Sequence, residues 1–321
     1  MKIKEIPLSK LNPKKFIREK VEELRKAVGK GTAINALSGG VDSSAVTLLA
    51  HRALGRQLKT YFIDHGLMRE GEPERVVALF QKHGVKVNLV DARREFFGEL
   101  KGKSDPEKKR QAITDAFYKK VFGKLVRKSG AQFLLQGTIL TDVEETVAGI
   151  KRQHNILAQL GIDTKKAYGY SVLEPLINLR KPAVRAVAKA LGLPASAYNR
   201  PPFPGPALTA RVIGEATPER IALVRRATKI VEDELDGTPA FQWLAILHED
   251  RVTGILNGRR EFGYQIEIRC WDSKDAVTAK PTALPFKTLT RLADLITTGV
   301  PGVVSVTYNV SSKPPSTIEA V

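Results

Sequence analysis

A chain of 321 residues is longer than one ordinary domain and fits two. An apolar content of 42% suffices for a sizeable core, yet no run approaches the length of a membrane span, and Met1-Lys2-Ile3-Lys4-Glu5-Ile6-Pro7 lacks the apolar stretch of a signal peptide. Cys270 is the lone cysteine, which excludes an internal disulfide framework and a cysteine-pair metal site and fits a reducing cytoplasm; the formal charge of +18 reads either as nucleic-acid binding or as a basic face for anionic small substrates such as ATP, and the absence of an RNA-binding signature or interleaved aromatics favours the second.

The first two hundred residues alternate helix and strand patterns. Phe16, Val21, Leu24 and Val28 recur at helical spacing, predicting an amphipathic helix over 14–28. Thr32 to Leu37 is a short apolar run ending in Ser-Gly-Gly, the pattern of a buried strand, and Ser43 to Leu54 follows as a helix. Lys59–Ile63 and Val85–Val90 are predicted strands around a helix at Glu72–His83, a long helical stretch covers Pro106 to Lys128, and Gln132–Gln136 is a further strand. This order predicts an α/β fold, a parallel, doubly wound sheet with ligands at the carboxyl ends of its strands.

Residues 140–170 break the pattern and predict a long loop, functional or disordered, with the helix Pro182–Leu191 beyond it. Four prolines between Pro201 and Pro206 forbid helix or central strand, so 200–206 is the expected linker between domains at 1–199 and 207–321. The second domain shows helical patterns at Pro218–Leu235 and Phe286–Thr297 and alternating patterns at Tyr264–Arg269 and Val303–Val310, an α+β composition.

The chemistry concentrates in Leu37-Ser38-Gly39-Gly40-Val41-Asp42-Ser43-Ser44, between a predicted strand and helix. Glycines let the backbone approach a ligand, the helix start offers unpaired N–H groups and a positive dipole end, and the serines add donors, a combination suited to polyphosphate. Asp42 suits Mg2+ bridging the phosphates. Neither GxxxxGK[ST] nor GxGxxG is present, and an ordinary capped turn is the bland alternative.

The string SGGVDSS resembles the pyrophosphate loop of the PP-loop ATP pyrophosphatases, the adenine nucleotide alpha hydrolase-like fold. Within that group the rest of the chain is similar to GMP synthetases: Phe62-Ile63-Asp64-His65-Gly66-Leu67-Met68-Arg69 at the second strand, Leu135-Gln136-Gly137-Thr138-Ile139 at a later strand end, Ile150-Lys151 with His154-Asn155 as a lid, Phe203-Pro204-Gly205-Pro206 as a linker, and Lys313-Pro314-Pro315-Ser316-Thr317-Ile318-Glu319 near the end. The resemblance implies that xanthosine monophosphate (XMP) is adenylated at purine C2 by ATP with release of pyrophosphate, and that ammonia displaces AMP to give GMP.

By position, the resemblance assigns ATP to Ser38, Gly39, Gly40, Val41, Asp42, Ser43 and Ser44, with Phe62, Ile63 and Gly137 around the adenine and ribose. Asp42 would hold Mg2+, and Lys151 would reach from the lid to the phosphates. Arg110, Arg200, Lys313, Ile318 and Glu319 would bind XMP. The second domain is implied to form a homodimer. No glutaminase is legible in the chain, so ammonia is expected from solution or from a separate glutaminase subunit. His51, His65, His83 and His248 read as structural or surface residues, Cys270 as a buried apolar residue, and Asp142, Glu144 and Glu145 as a solvated loop.

Departures from the family pattern gather on the acceptor side. Arg152-Gln153-His154-Asn155 stands for SHHN, Arg200-Pro201-Pro202-Phe203-Pro204-Gly205-Pro206-Ala207-Leu208 for RHPFPGPGL, and Ala320-Val321 for the final Trp-Glu; Asn257-Gly258 and Asp275–Ala279 also differ. Two alternatives follow: a relative adenylating another acceptor such as a tRNA base, and a non-catalytic nucleotide-binding paralog.

Overall fold

The computed structural model describes residues 3–147, 169–199, 203–256, 258–274 and 277–320. They gather into two compact units: Met1–Asp64, Glu72–Asp91 and Tyr118–Arg200 form the first, and His65–Gly71, Ala92–Phe117 and Pro201–Val321 the second. The units are therefore not consecutive stretches of sequence.

The first unit is built on five parallel strands, β1 (Ala33–Ala36), β2 (Leu58–Asp64), β3 (Val87–Asp91), β4 (Phe133–Leu135) and β5 (Ser171–Leu173), in the order β3-β2-β1-β4-β5. The order reverses between β1 and β4, and ligands of open α/β sheets bind at that switch point. Among the described residues its longer helices are α1 (Pro13–Val28), α2 (Val41–Leu54), α3 (Glu72–Lys82), α6 (Gly123–Ser129), α7 (Leu140–Val147) and α8 (Lys181–Ala190); α4 (Arg93–Leu100) and α5 (Pro106–Asp115) belong to the second unit. The expected parallel α/β sheet is thus present.

α2 packs against α1 and α8 and is buried on most sides, with Ala45, Val46, Leu48, Leu49 and Ala50 all within the core. An apolar helix enclosed this way is a fixed mount for the loop at its N-terminus.

Two local readings change. Residues 140–147, expected in a loop, form α7, where Asp142 Oδ2 accepts from the Ile139 N–H at 3.0 Å. The single long helix expected over 106–128 is interrupted by a π-helical stretch, Ala116–Phe122. Gly123 closes that stretch: a Cβ there would lie 2.7 Å from the Tyr118 carbonyl, so the wide turn needs a residue without one.

The second unit carries a long antiparallel hairpin, β6 (Gln242–Leu256) and β7 (Arg259–Asp272); β8 (Lys280–Pro281) and β9 (Val303–Tyr308) both pair with β7, β9 in parallel. α9 (Pro218–Glu234) packs on β6 and α10 (Phe286–Gly299) on β9. The expected α+β character holds. Cys270 lies buried in β7, where burial pushes its thiol pKa up.

Three helices begin alike. Asn12, Asp105 and Thr217 each accept from a first-turn N–H, and a proline occupies the next position. The cap satisfies an orphan donor, and proline at the first position loses no helical bond. Among the described residues no helix is long and apolar enough to cross a membrane.

Candidate active site

The loop SGGVDSS runs from the end of β1 into α2, at the switch point of the sheet. Leu37 N–H donates to the Tyr61 carbonyl at 2.8 Å, which keeps the chain in register with β2 to the edge of the loop. Gly39 then turns with φ of +80°, and a Cβ there would stand 2.9 Å from Val76 Cγ2. Only glycine meets both constraints without strain.

Gly40 caps α2 in extended conformation and offers no side chain to the first-turn amides. The N–H groups of Val41, Asp42 and Ser43 precede the first intrahelical bond, which Ser44 N–H makes to the Gly40 carbonyl at 3.0 Å. Three amides and the positive end of the helix dipole therefore converge on one spot. Ser38 and Ser43 lie beside it with hydroxyl oxygens 2.9 Å apart, and Ser43 Oγ donates to the Gly40 carbonyl at 3.0 Å.

A buried brace supports this turn. Asn35 Nδ2 donates to Thr47 Oγ1 at 2.6 Å, and Thr47 Oγ1 donates to the Ser43 carbonyl at 2.7 Å, tying the middle of β1 to the second turn of α2. From the other side of the switch point, the segment after β4 presses close. A Cβ on Gly137 would lie 3.1 Å from both the Asp42 carbonyl carbon and the Ser43 nitrogen.

Asp42 carries the local electrostatics. Its Oδ2 accepts from Lys181 Nζ at 2.5 Å, while Oδ1 is buried without a hydrogen-bond partner. Lys181 opens α8, and its neighbour Arg180 is held by Glu144 at 2.7 Å and Glu5 at 3.1 Å. An unused carboxylate oxygen beside free backbone amides fits Mg2+, which takes one or two protein carboxylates and completes its shell with phosphate and water. Among the described residues no cluster of three or more metal-binding side chains exists.

Phe62 and Ile63 lie near the end of β2 with side chains buried in the core, so the groups they can present there are backbone groups. Lys151 and Arg200 lie outside the described residues, as do the lid and the first two linker prolines.

The other expected acceptor-binding residues all belong to the second unit. Arg110 is exposed on α5, bridged to Glu107 at 3.1 Å, and borders a shallow depression with Pro106, Lys109, Pro206, Thr209 and Ala210. Its neighbour Lys109 is buried, and Nζ donates to the carbonyls of Val212 at 2.6 Å, Gly214 at 3.0 Å and Thr209 at 3.4 Å. Of the Lys108-Lys109-Arg110 cluster only the outer two therefore face solvent.

Lys313 pairs its backbone with Ala279, and Ile318 is half-buried. Glu319 is anchored: Oε2 accepts from Arg211 Nε at 3.1 Å, and Oε1 from Arg211 Nη2 at 3.3 Å and Gln242 Nε2 at 3.1 Å. Arg269 donates to the carbonyl of Thr317 at 2.7 Å and holds Glu267 at 2.5 Å; His248 reaches the other oxygen of Glu267 at 2.8 Å. Burial alone would raise the pKa of Glu267, but the bonds from His248 and Arg269 win and lower it. Sequence reading passed over Lys181 and Arg211, whose partners lie far along the chain, and Arg269, which pairs with nearby Glu267 but also holds the distant Thr317 carbonyl.

Comparison with known proteins now decides the family. A model described as NAD synthase matches residues 11–209, and one described as the GMP synthase C terminal domain matches residues 229–320. A subunit of the glutamine-hydrolyzing GMP synthase of Thermococcus kodakarensis is 44% identical over 95% of this chain and 98% of its own length. The corresponding subunit from Archaeoglobus fulgidus is 43% identical over 96% of this chain and 99% of its own. The chain belongs to this GMP synthase subunit family. The resemblance read from SGGVDSS is borne out over nearly the whole length. The family's member from Pyrococcus furiosus is 44% identical over 95% of this chain and 96% of its own. A solved NH3-dependent NAD synthetase from Campylobacter jejuni aligns with 60% of this chain and 80% of that one, with 14% identity and a TM-score of 0.47.

Proposed function

We propose that the chain is a ligase that activates XMP with ATP and aminates it to GMP. The oxygen at purine C2 attacks the α-phosphorus of ATP; the new O–P bond forms as the bond to pyrophosphate breaks. Ammonia then adds at C2 and loses a proton, and AMP departs with the former C2 oxygen. The observation that carries the reading is the switch-point loop of a chain in the GMP synthase family, with three free amides, Lys181 and a half-used Asp42 around one spot.

In this reading the loop from Ser38 to Ser44 holds the β- and γ-phosphates through its amides and hydroxyls. Mg2+, held by Asp42, would supply charge neutralisation for the departing pyrophosphate. Lys181 adds a second cation that fixed charges keep in place. Backbone groups at Phe62, Ile63 and Gly137 border the adenine and ribose. Lys151 approaches the phosphates from the lid, while Arg110, Arg200, Lys313, Ile318 and Glu319 bind XMP; Lys151 and Arg200 enter from the family resemblance alone.

The relatives are named as glutamine-hydrolyzing, and each as one subunit of its enzyme. We carry both to this chain: ammonia comes from a glutaminase on a separate subunit, and free ammonium substitutes for it. The test is purified protein with ATP, Mg2+, ammonium and a panel of purine nucleotides, scored for pyrophosphate. Release that depends on XMP and yields GMP supports the reading; release with a different acceptor, or with none, sinks it.

A further inference from the structure

The C-terminal tail is fastened to the second unit by side chains that no role in ATP binding explains. Arg211 ends a short 3-10 turn, Ala207–Arg211, that follows Phe203-Pro204-Gly205-Pro206. That turn is pinned at its backbone. Val212 bridges to Leu247 of β6, Ile213 N–H donates to the Leu247 carbonyl at 2.9 Å, and Lys109 holds the carbonyls of Thr209, Val212 and Gly214. The guanidinium of Arg211 consequently leaves a rigid base. It is 1% exposed, lies 5.1 Å from the centre of the Phe203 ring, and meets Glu319 with two nitrogens. Arg69 covers the same ring at 4.0 Å.

Three donors therefore reach the carboxylate of Glu319, from Arg211 and the buried Gln242, and the side chain is still 18% exposed. A carboxylate has about four lone-pair positions, so acceptor capacity remains on the side that faces out. The third guanidinium nitrogen of Arg211, Nη1, is buried without a partner. A residue serving stability alone gains nothing by leaving a buried donor unsatisfied, and such exceptions call for a functional account.

We propose that Arg211 is a positioning residue: it holds Glu319 in the one orientation that accepts from the N–H groups of the acceptor's purine edge, and it joins the linker at Phe203 to that recognition. The inference rests on the reading of XMP as acceptor with Glu319 as a ligand. Arginine's planar fork fixes both the place and the plane of the carboxylate, whereas lysine supplies one charge and no plane. Gln242 closes the remaining freedom from the neighbouring strand.

The test compares Arg211→Lys, Glu319→Asp and their double variant with wild type, in the full chain with Mg2+. ATP binding is read by calorimetry, and XMP by KM and kcat with ammonium. Glu319→Asp keeps Arg211 and the fold and withdraws the carboxylate by one methylene, so it reports even where Arg211→Lys unfolds. The expected result is a KM for XMP raised about tenfold or more in each single variant, with kcat changed less and ATP binding unchanged. The double variant should be little worse than either single one, because both remove the same orientation. An unchanged KM for XMP in the folded variants overturns the positioning role, as does additivity in the double variant. An equal loss of ATP binding and of thermal stability would mark Arg211 as a structural anchor and overturn it too. Failure of the underlying reading looks different: wild type itself would neither bind nor turn over XMP, and the inference would fall with it.

Discussion

Asp42 faces two neighbours of opposite character, a lysine on one oxygen and nothing on the other. We expect Asp42→Ala to lower pyrophosphate release on the order of a hundredfold or more while the fold survives, since charge stabilisation of the leaving group is lost. Wild-type rates in that variant would remove the metal assignment. Lys109 makes a separate prediction. Burial, and then the charge of Arg220, push its pKa down from 10.5 to about 8. Below pH 8 the residue is protonated folded and unfolded, and the cost of burying the charge is fully present. As pH rises from about 8 toward 10.5 only the unfolded chain binds the proton, so this residue's contribution to stability rises. Denaturant midpoints of wild type minus Lys109→Met should climb across that window by at most about 3 kcal/mol in free energy; a flat or falling difference would contradict it. Among residues, the loop was legible because its chemistry is contiguous. Lys181 was not, because its partner stands 139 positions away and Arg180-Lys181-Pro182 reads as a plain helix start. Glu319 was singled out, but its anchors Arg211 and Gln242 were not, for the same reason.

At the scale of elements, the β1–α2 unit is where we propose that phosphate is held, and Gly39 is its tightest point. Gly39→Ala adds a side chain at positive φ and drives it against Val76, so we expect a stability loss of about 1–2 kcal/mol and weaker ATP binding. Adding Val76→Ala relieves the contact but not the dihedral, and should restore stability only in part; complete restoration would show that φ is not the constraint. The starts of the helices that begin Asn-Pro, Asp-Pro and Thr-Pro were legible to within a residue, since cap and proline act locally. β6 was missed. Its apolar run from Trp243 to Leu247 gives way to His248-Glu249-Asp250-Arg251, and pairing with β7 carries the strand through an irregularity between Leu247 and Arg251. Long-range ladder bonds override the local signal there. α7 was hidden by its polar residues, of which Asp142 caps the helix and Glu144 holds Arg180.

On the scale of the whole molecule, the parallel sheet and the α+β second unit followed from the order of periodicities, whereas the interleaving did not: nothing in the composition of 65–71 or 92–117 says that they join the residues beyond 200. Contacts made in three dimensions assign them. We also propose that the protein is a homodimer through residues 207–321; Ile255 and Phe262, both exposed on the β6–β7 hairpin, are apolar surface for that contact. Light scattering at micromolar concentration should give twice the mass of 35.3 kDa, and a monomer would contradict it. Transfer of the adenylyl group of ATP to the C2 oxygen of XMP is open to a direct isotope test. XMP carrying oxygen-18 at purine C2 is turned over with ATP, Mg2+ and ammonium, and the products are weighed by mass spectrometry. We expect the label to leave the purine and appear in the phosphate of AMP, one atom per GMP formed. Label found in pyrophosphate or solvent, or kept on the purine while ATP is consumed, would contradict that transfer.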